Sequence, residues 1–315
     1  MRILVLAPHP FYQDRGTPID VHLVLRVLSE RPGTTVDVVT YHEGQDVNLP
    51  DVRIHRIQRL PGLDGIRPGF SVKKVLADLL LFDKSWTLIR KNDYDLVHAG
   101  EEAVFLAMFF KQAYGIPFAY DLDSSIAQQL VEQKPYLKAF STVFDWMERQ
   151  AIQESLINFP VCNALADLCR ERGSRKTVTL HDISQLEDPD YANPECLLRE
   201  VEADGPIFLY VGNLEPYQGV DLLLKSFRRA TSEEPDLTLV AIGGEEEDIA
   251  GYRSKAVTLG VEENTSFLGP RPFEHLGDYL AGADILVCPR TEGINTPMKI
   301  FPYLHSDRPV LATDL

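Results

Sequence analysis

Short apolar runs alternate along the first half of the chain with longer segments whose apolar residues recur every three or four positions. The runs are rich in β-branched residues and end at polar or proline positions, which is typical of buried strands. We predict strands over residues 2–7, 35–41, 52–57, 94–99, 117–121, 157–162 and 176–180. We predict helices that start at Thr17 and that cover residues 71–91, 101–114, 125–133, 136–154 and 164–171. Strands and helices in this alternation predict a doubly wound parallel sheet.

A second alternating series begins at Pro206. Its predicted strands cover residues 207–211, 237–242, 265–268, 285–288 and 310–312, and its predicted helices cover 220–231, 246–259, 273–283 and 297–304. The polar, acidic segment between the two series is typical of an interdomain connection. We therefore predict an α/β protein with an N-terminal Rossmann-like domain over residues 1–180, a connection over 181–205 and a C-terminal Rossmann-like domain over 206–315. Because ligands bind at the carboxyl ends of such strands, we expect the two domains to face a cleft that holds the site.

The helix predicted over residues 71–91 is unusually apolar and also carries lysines. Apolar stripes at helical spacing usually face a core, so a core helix with solvated lysines is the favoured interpretation. The alternative is an interfacial helix that lies on a membrane surface.

Composition excludes several classes of function. The 315 residues carry a formal net charge of −16, and nucleic acid as the main partner would need a basic face instead. The four cysteines form no C-x-x-C pair and lie near no histidines at zinc-ligand spacing, so we expect free thiols. No apolar run has the length of a signal-sequence core or a membrane span. We expect a cytoplasmic protein and leave peripheral contact with the inner face of the membrane open.

The segment after the fourth strand of the second series has the features of an anion-binding loop. Glu292 and Gly293 open the loop. A helix is predicted to begin at Pro297, where a missing N–H is harmless, with Asn295 or Thr296 as its cap. A helix N-terminus behind a strand and a loop offers N–H groups and a positive dipole end to a phosphate. The carboxylate of Glu292 could then reach a sugar or ribose hydroxyl.

These residues resemble the donor-site segment of family 4 glycosyltransferases, retaining enzymes with the GT-B fold. The family pattern reads P-S-x-x-E-G-x-G-x-P, followed by a glutamate and then P-V-V-A-T. The matching residues here are Pro289, Glu292, Gly293, Pro297 and 309–313. The family's second glutamate is missing, because its place holds Ile300, or Pro302 when the alignment is anchored on the later proline. The loop is also two residues longer than in the family.

A second segment is similar to the family's G-R-L-x-x-x-K-G-x-D. Gly212 and Gly219 match it, but Asn213 stands at the arginine and Gln218 at the lysine. In the family these two cations neutralise the donor diphosphate as it leaves. Neutral side chains still donate hydrogen bonds, but bind an anion more weakly.

Two other cations are candidates to replace the missing pair. Lys299, beside the predicted helix N-terminus, is the better one, and Arg290 is the second. Surface solvation is the alternative role for both. By the same resemblance, residues 267–270 flank the nucleotide base.

In the first domain, Gly16 and Thr17 follow the opening strand and resemble the family's N-terminal glycine loop. An ordinary strand-to-helix turn is the alternative. Asp123 stands where the family usually has a histidine beside the transferred sugar. Contact with a sugar hydroxyl and capping of the following helix are equally open for Asp123. A metal site with the nearby Asp121 is less favoured, because two carboxylates are a weak metal signal.

The resemblance implies a retaining transferase that moves a sugar from a nucleotide-diphosphate sugar to a glycan or lipid-linked acceptor without a metal. It implies that the C-terminal domain binds the donor and the N-terminal domain the acceptor. Glu292 and Asp123 are then the catalytic candidates. The donor-binding candidates are Gly16, Thr17, Gly212, Asn213, Gln218, Gly219, Gly293, Asn295, Thr296 and Lys299.

The missing cations and glutamate also fit a non-catalytic relative that binds sugar nucleotides or serves as a scaffold. A GT-B epimerase is a weaker alternative, because the transferase segments match more closely. The family continues beyond the last predicted strand with further strand and helix, so we expect an incomplete second sheet and a C-terminally truncated chain.

Overall fold

Six strands form in the first half of the chain: β1 (Arg2–Ala7), β2 (Thr35–Thr40), β3 (Val52–Arg56), β4 (Leu96–Gly100), β5 (Phe118–Leu122) and β6 (Ile157–Pro160). The computed structural model describes residues 1–13, 16–66, 71–127, 141–184, 186 and 192–314. The six strands pair in parallel in the order β3-β2-β1-β4-β5-β6. The order reverses between β1 and β4, which makes their carboxyl ends the topological switch point of a doubly wound sheet.

The helices of this half are α1 (Gly16–Ser29), α2 (Val72–Ile89), α3 (Ala103–Tyr114), α4 (Ser141–Glu154) and α5 (Asn163–Glu171). They cover both faces of the sheet, so both sides of a strand are buried. Along β1, Ile3 and Val5 belong to one apolar cluster, whereas Leu4 and Leu6 belong to another on the opposite face. This burial on both faces explains the continuous apolar run at the start of the sequence.

Five parallel strands form the second sheet: β7 (Ile207–Val211), β8 (Thr238–Ile242), β9 (Thr265–Gly269), β10 (Ile285–Cys288) and β11 (Val310–Ala312). Their order is β11-β10-β7-β8-β9. The α-helices are α6 (Glu195–Leu198), α7 (Val220–Thr231), α8 (Glu246–Leu259), α9 (Leu276–Ala281) and α10 (Ile300–His305). Short 3₁₀ helices lie at Pro216–Gln218 and Phe273–His275. The predicted α/β class with two Rossmann-like parallel sheets is confirmed.

The chain divides into two compact units, Met1–His181 and Asp182–Leu315. The predicted connection over 181–205 therefore lies almost wholly in the second unit, where α6 packs against α9. In the described part of the chain, no helix has both the length and the apolar character required to cross a bilayer.

Away from the loop that follows β10, a predicted strand and a predicted helix differ from the structure. The strand over 176–180 is wrong: a single bridge pairs Thr177 with Asn158. Val178 and Leu180 are exposed, so no buried face stabilises a strand there. The helix over 273–283 consists of a 3₁₀ turn and the shorter α9. Most of the helix predicted over 125–133, and the first turn of the one over 136–154, lie outside the described residues.

Candidate functional site

The loops that follow β7 and β10 lie side by side in the second unit. The two strands are parallel neighbours, with Ile285 opposite Phe208, so their carboxyl ends share one edge of the sheet. The loops are also joined directly, because the N–H of Thr291 donates to the carbonyl oxygen of Tyr217 at 3.0 Å. The two segments singled out in the sequence therefore form one site.

Glycines allow these loops to approach closely. Gly219 has a φ of +74°, and a Cβ there would overlap the carbonyl oxygen of Pro289. A Cβ on Gly212 would lie 2.5 Å from Nζ of Lys299, and one on Gly243 would overlap the carbonyl oxygen of Gly212. Only glycine fits these positions without displacement of a neighbouring backbone or of the lysine.

The ammonium group of Lys299 lies at the end of the Gln218 side chain. Its Nζ donates to Oε1 of Gln218 at 3.0 Å and lies 4.0 Å from the ring centroid of Tyr210. Burial, opposed in part by Cys288 and assisted by the positive charge of Arg290, lowers the pKa of Lys299 from 10.5 to about 7. Among the described residues, no carboxylate forms a salt bridge with Lys299. The Lys299 ammonium group thus contacts Gln218, which stands at the position of the family's lysine.

Arg290 holds the loop that follows it. Its guanidinium donates to the carbonyl oxygen of Glu292 at 2.6 Å, to the carbonyl oxygen of Asn295 at 3.0 Å and to Oδ1 of Asn295 at 2.6 Å. It is 9% exposed and lies 5.6 Å from the ring centroid of Tyr217. A Cβ on Gly293, which has a φ of +108°, would overlap this guanidinium. The hydrogen-bonding groups of Arg290 are therefore directed into the protein rather than toward an exposed position.

The prediction of a helix that begins at Pro297 is wrong, since α10 begins at Ile300. Asn295 and Thr296 are too far upstream to cap it. The reason is Pro302, which has no N–H and would clash with the preceding turn inside a helix that started at 297. Starting at Ile300 places Pro302 in the first turn, where its N–H is not needed. The residues before α10 instead form a tight turn, with the N–H of Ile300 donating to the carbonyl oxygen of Pro297 at 3.0 Å.

The remaining predicted residues differ in exposure. Glu292 and Gly293 are exposed, whereas Gln218 is 9% exposed. The carbonyl oxygen of Asn213 accepts a hydrogen bond from the hydroxyl of Tyr210 at 2.5 Å, and Nδ2 of Asn213 lies 3.4 Å from Oη of Tyr217. Glu292 therefore lies at the surface, whereas Gln218 is almost fully covered.

Two buried tyrosines support the site and were not predicted from the sequence. Tyr210, at the end of β7, lies under the Lys299 ammonium, and Tyr303 accepts a hydrogen bond from the N–H of Val211 at 2.8 Å. Burial raises the pKa of both phenols, so both stay neutral. The sequence does carry a signal for Tyr210. This tyrosine lies within an apolar strand, and a buried hydroxyl needs a polar partner.

A cavity of about 390 Å³ lies at the carboxyl ends of β8 and β9. It is lined by Gly244, Glu245, Glu246, Ile249, Arg253 and residues 267–270. This lining contains the segment that the resemblance assigned to the nucleotide base. The guanidinium of Arg253 donates to the carbonyl oxygen of Phe267 at 2.8 Å and so joins α8 to β9.

In the first unit, Gly16 and Thr17 begin α1 at the switch point. Oγ1 of Thr17 donates to Oε1 of Glu101 at 3.2 Å, which joins the residues that follow β1 and β4. Glu101 has a φ of +47°, an uncommon conformation for a residue other than glycine. The adjacent Glu102 forms an ion pair with Lys74. Gly16 and Thr17 therefore lie at an edge of the sheet that also carries Glu101, with its uncommon backbone conformation, and Glu102.

Asp123 follows β5 at the same edge. Carboxylate oxygens of Asp20, Asp121 and Asp123 lie within 4.8 Å of one another. Asp121 is buried, and its Oδ2 lies 2.9 Å from Nε2 of His98. The N–H of Ile126 in the following segment donates to Glu148 at 2.7 Å. The third carboxylate, from α1, was not anticipated in the sequence.

Known families resemble the second unit in sequence, and solved structures resemble both units in fold. Residues 205–315 match the family model described as "Glycosyl transferases group 1". The D-inositol 3-phosphate glycosyltransferase of Corynebacterium glutamicum (strain R) is 34% identical over 88 residues, and that of Corynebacterium efficiens is 33% identical over 88 residues. Each match spans 26% of this chain and 21% of the relative.

Several solved structures are similar over nearly the whole chain. Sucrose-phosphate synthase from Thermosynechococcus elongatus has a TM-score of 0.78 at 17% identity, over 99% of this chain and 80% of that one. Anabaena HepE in complex with UDP-glucose has a TM-score of 0.71 at 16% identity, with the same coverage. WaaG, a glycosyltransferase involved in lipopolysaccharide biosynthesis, has a TM-score of 0.71 at 16% identity. The match covers 98% of this chain and 80% of WaaG. The chain therefore has the GT-B fold of these proteins, and its residues 205–315 match the group 1 glycosyltransferase family.

Proposed function

We propose that this protein is a retaining glycosyltransferase that uses a nucleotide-diphosphate sugar as donor and a glycan or lipid-linked molecule as acceptor. The observation that carries the proposal is the Lys299 ammonium group beside Gln218, on the glycine loop after β7. The family match of residues 205–315 supports a transferase. HepE, which shares the fold, has been solved with UDP-glucose.

Lys299 is proposed to replace the family's two diphosphate-binding cations. When the bond between the anomeric carbon and the diphosphate oxygen breaks, negative charge develops on that oxygen. A preorganised cation at this position stabilises the charge more strongly than water does. Gln218 and Asn213 add neutral hydrogen-bond donors, and α7, which begins at Val220, contributes the positive end of its dipole.

The other roles follow from position and resemblance. Glu292, Gly293, Asn295 and Thr296 are proposed to contact the donor sugar, with the Glu292 carboxylate accepting from a hydroxyl. Gly16, Thr17 and Asp123, at the carboxyl edge of the first sheet, are assigned to the transferred group. The acceptor hydroxyl then attacks on the face from which the diphosphate leaves and passes its proton to the departing oxygen. We propose that this reaction takes place in the cytoplasm, without a metal ion.

The test is incubation of the purified chain with UDP-, GDP- and ADP-linked sugars, with release of nucleoside diphosphate as the readout. We expect one donor to be hydrolysed or transferred. Glu292→Ala should lower the rate about 100-fold, as expected when a contact made in the transition state is removed, while nucleotide binding persists. The anomeric configuration of the product, measured by NMR, reports retention. Inversion would refute the assigned stereochemistry.

A scaffold that binds sugar nucleotides without turnover is the second candidate. The observation in its favour is that Asn213 and Gln218 are neutral, while the guanidinium donors of Arg290 are directed to its own loop. Nucleotide binding without donor consumption under any acceptor condition would establish this function instead.

A further inference from the structure

The hydroxyl of Tyr303 binds the end of β7. This strand pairs with β10 as far as Leu209, which lies opposite Leu286, and Val211 lies two residues further on. The N–H of Val211 donates to the hydroxyl oxygen of Tyr303 at 2.8 Å. Tyr303 is fully buried and packs in the same apolar cluster as Leu209 and Leu286. The last residue of β7 is therefore tied to α10.

The same hydrogen bond holds the backbone of Lys299. α10 has six residues, Ile300–His305, and a helix this short has little stability of its own, so contacts with the rest of the unit fix its position. Lys299 lies directly before it, and the N–H of Tyr303 donates to the carbonyl oxygen of Lys299 at 3.1 Å. The two residues belong to one turn of backbone, so a contact that holds Tyr303 also holds Lys299.

Three consecutive residues at the end of β7 meet this turn. The ring centroid of Tyr210 lies 4.0 Å from Nζ of Lys299. Val211 donates to Tyr303, and a Cβ on Gly212 would lie 2.5 Å from Nζ of Lys299. The Val211 hydrogen bond therefore lies, in sequence, between the two strand positions that the ammonium group approaches.

The Lys299 ammonium group has a physical reason to leave this place. Burial, opposed in part by Cys288 and assisted by Arg290, lowers its pKa to about 7, which reflects how strongly the site disfavours the charge. A lysine has a long flexible stem and normally carries its charge to water. The contact of this ammonium group with Gln218 therefore requires a backbone that is fixed beneath it.

We propose that Tyr303 is a positioning residue, whose hydroxyl fixes the turn that holds the Lys299 ammonium group over Tyr210, in place for a diphosphate. The alternative is that the hydroxyl only satisfies a buried N–H group, whose loss of a partner would cost stability. The two roles differ in one respect. A structural role affects stability alone, whereas a positioning role also affects where the amine lies. The identity of the anion rests on the proposed function, but the placement of the amine does not.

The test is an NMR titration of the chain labelled with ¹³C at the lysine Cε atoms, which reports the pKa of Lys299 without any ligand. Tyr303→Phe removes a single oxygen atom. We expect it to raise that pKa from about 7 toward 10.5, by about one unit, because the released ammonium group becomes hydrated. Comparison with Lys299→Met assigns the signal.

Binding of UDP or GDP, whichever the wild type prefers, gives a second measurement. At pH 6 the amine is largely protonated in both proteins, so affinity reports its placement. Tyr303→Phe should weaken binding about tenfold, as expected when a hydrogen bond to a charged group is lost. In a Lys299→Met background, Tyr303→Phe should cause no further loss.

The matched control is Tyr279→Phe, which removes a hydroxyl from α9 in the same apolar cluster. That hydroxyl donates to Oε1 of Glu200 at 2.5 Å. Its loss should lower the melting temperature but leave the Lys299 titration unchanged. If Tyr303→Phe does not fold, 3-fluorotyrosine at position 303 takes its place. Fluorine weakens the hydroxyl as an acceptor, so the pKa of Lys299 should rise in the same direction by a smaller amount.

Three results would overturn the role of Tyr303. The first is an unchanged pKa of Lys299 in the folded variant, and the second is an equal change in Tyr279→Phe. The third is a loss of diphosphate affinity that persists in the Lys299→Met background. If the wild type binds neither diphosphate, the proposed function fails, and the titration alone decides whether Tyr303 positions the amine.

Discussion

Nζ of Lys299 lies 3.0 Å from Oε1 of Gln218 and within 4.0 Å of the ring centroid of Tyr210. The two hydrogen-bonded residues come from segments that are 81 positions apart in the sequence. The amide of Gln218 and the face of an aromatic ring both attract a cation, and neither neutralises it. Among the described residues, no carboxylate pairs with this amine, so an anion that binds beside it would favour its protonated form.

The first prediction concerns affinity for the donor diphosphate. Lys299→Met should weaken binding of UDP or GDP, whichever the protein prefers, by about 10- to 100-fold, the worth of a hydrogen bond to a charged group. Because the pKa of Lys299 is lowered to about 7, the wild-type affinity should fall between pH 7 and 9 as the amine loses its proton. The variant should show no such fall. Calorimetric titration measures both, with Lys225→Met as the control for loss of a surface lysine.

The second prediction concerns the free energy of unfolding. The folded-state pKa of Lys299, about 7, lies below its ordinary value of 10.5. The unfolded chain therefore binds more protons between these values, and the contribution of Lys299 to stability rises with pH across that window. Lys299→Met should remove the pH dependence and stabilise the protein at neutral pH by on the order of 2 kcal/mol, after the loss of its polar contacts is subtracted. Denaturation at pH 7, 8 and 9 measures this, and a wild-type stability that falls across the window would contradict it.

The third prediction uses two glycines of the second unit. Gly219→Ala adds a Cβ that overlaps the carbonyl oxygen of Pro289, at a φ of +74°. It should destabilise the protein by about 3 kcal/mol, from overpacking and the left-handed conformation together. Gly251→Ala is the control, because it lies within α8 with no atom within 4 Å of its new Cβ. The control should raise stability by about 0.5–1 kcal/mol, the difference in helix propensity. Equal melting temperatures for the two variants would show that the close approach at Gly219 is not required.

The fourth prediction concerns Asp78 on α2, which accepts a hydrogen bond from the Tyr41 hydroxyl at 2.5 Å. Burial, followed by the negative charge of Glu102, raises the pKa of Asp78 to about 7, although Lys74 opposes this. The folded state therefore binds more protons than the unfolded state between about pH 4 and 7, and stability falls as pH rises through that window.

Asp78→Asn keeps an acceptor for Tyr41 but carries no charge. It should raise the free energy of unfolding at pH 8 by about 1–2 kcal/mol, less than the full linkage value because Lys74 loses an attractive partner. At pH 5 the change should be small. Thermal melting at both pH values measures the difference, and a variant that is less stable at pH 8 than the wild type would refute the assigned burial effect.

The sequence predicted the strands and most helices of the second unit because apolar periodicity and glycines mark their ends. α7 and α8 have the predicted bounds, and each is flanked by a glycine with positive φ, Gly219 before α7 and Gly260 after α8. α10 begins three residues after the predicted start, because Pro302 outweighs the capping signal at Asn295. A proline at the sixth position of a helix excludes that start on steric grounds alone.

The contacts of the candidate site could not be predicted in the same way. The approach of Lys299 to Tyr210 depends on the pairing of β7 with β10 and on the small size of Gly212, which local patterns do not specify. The spacing of apolar residues in α2 likewise shows that several faces are apolar. It does not show which of them the rest of the chain covers.

The guanidinium of Arg290 has a thermodynamic consequence for ligands. Its three hydrogen bonds to Glu292 and Asn295 fix the loop while the domain folds. The conformational entropy of these residues is therefore lost before any ligand arrives, and association does not have to order them again. If a sugar contacts Glu292 as proposed, it binds to a segment that is already in place, and little of its binding free energy is lost in ordering the loop.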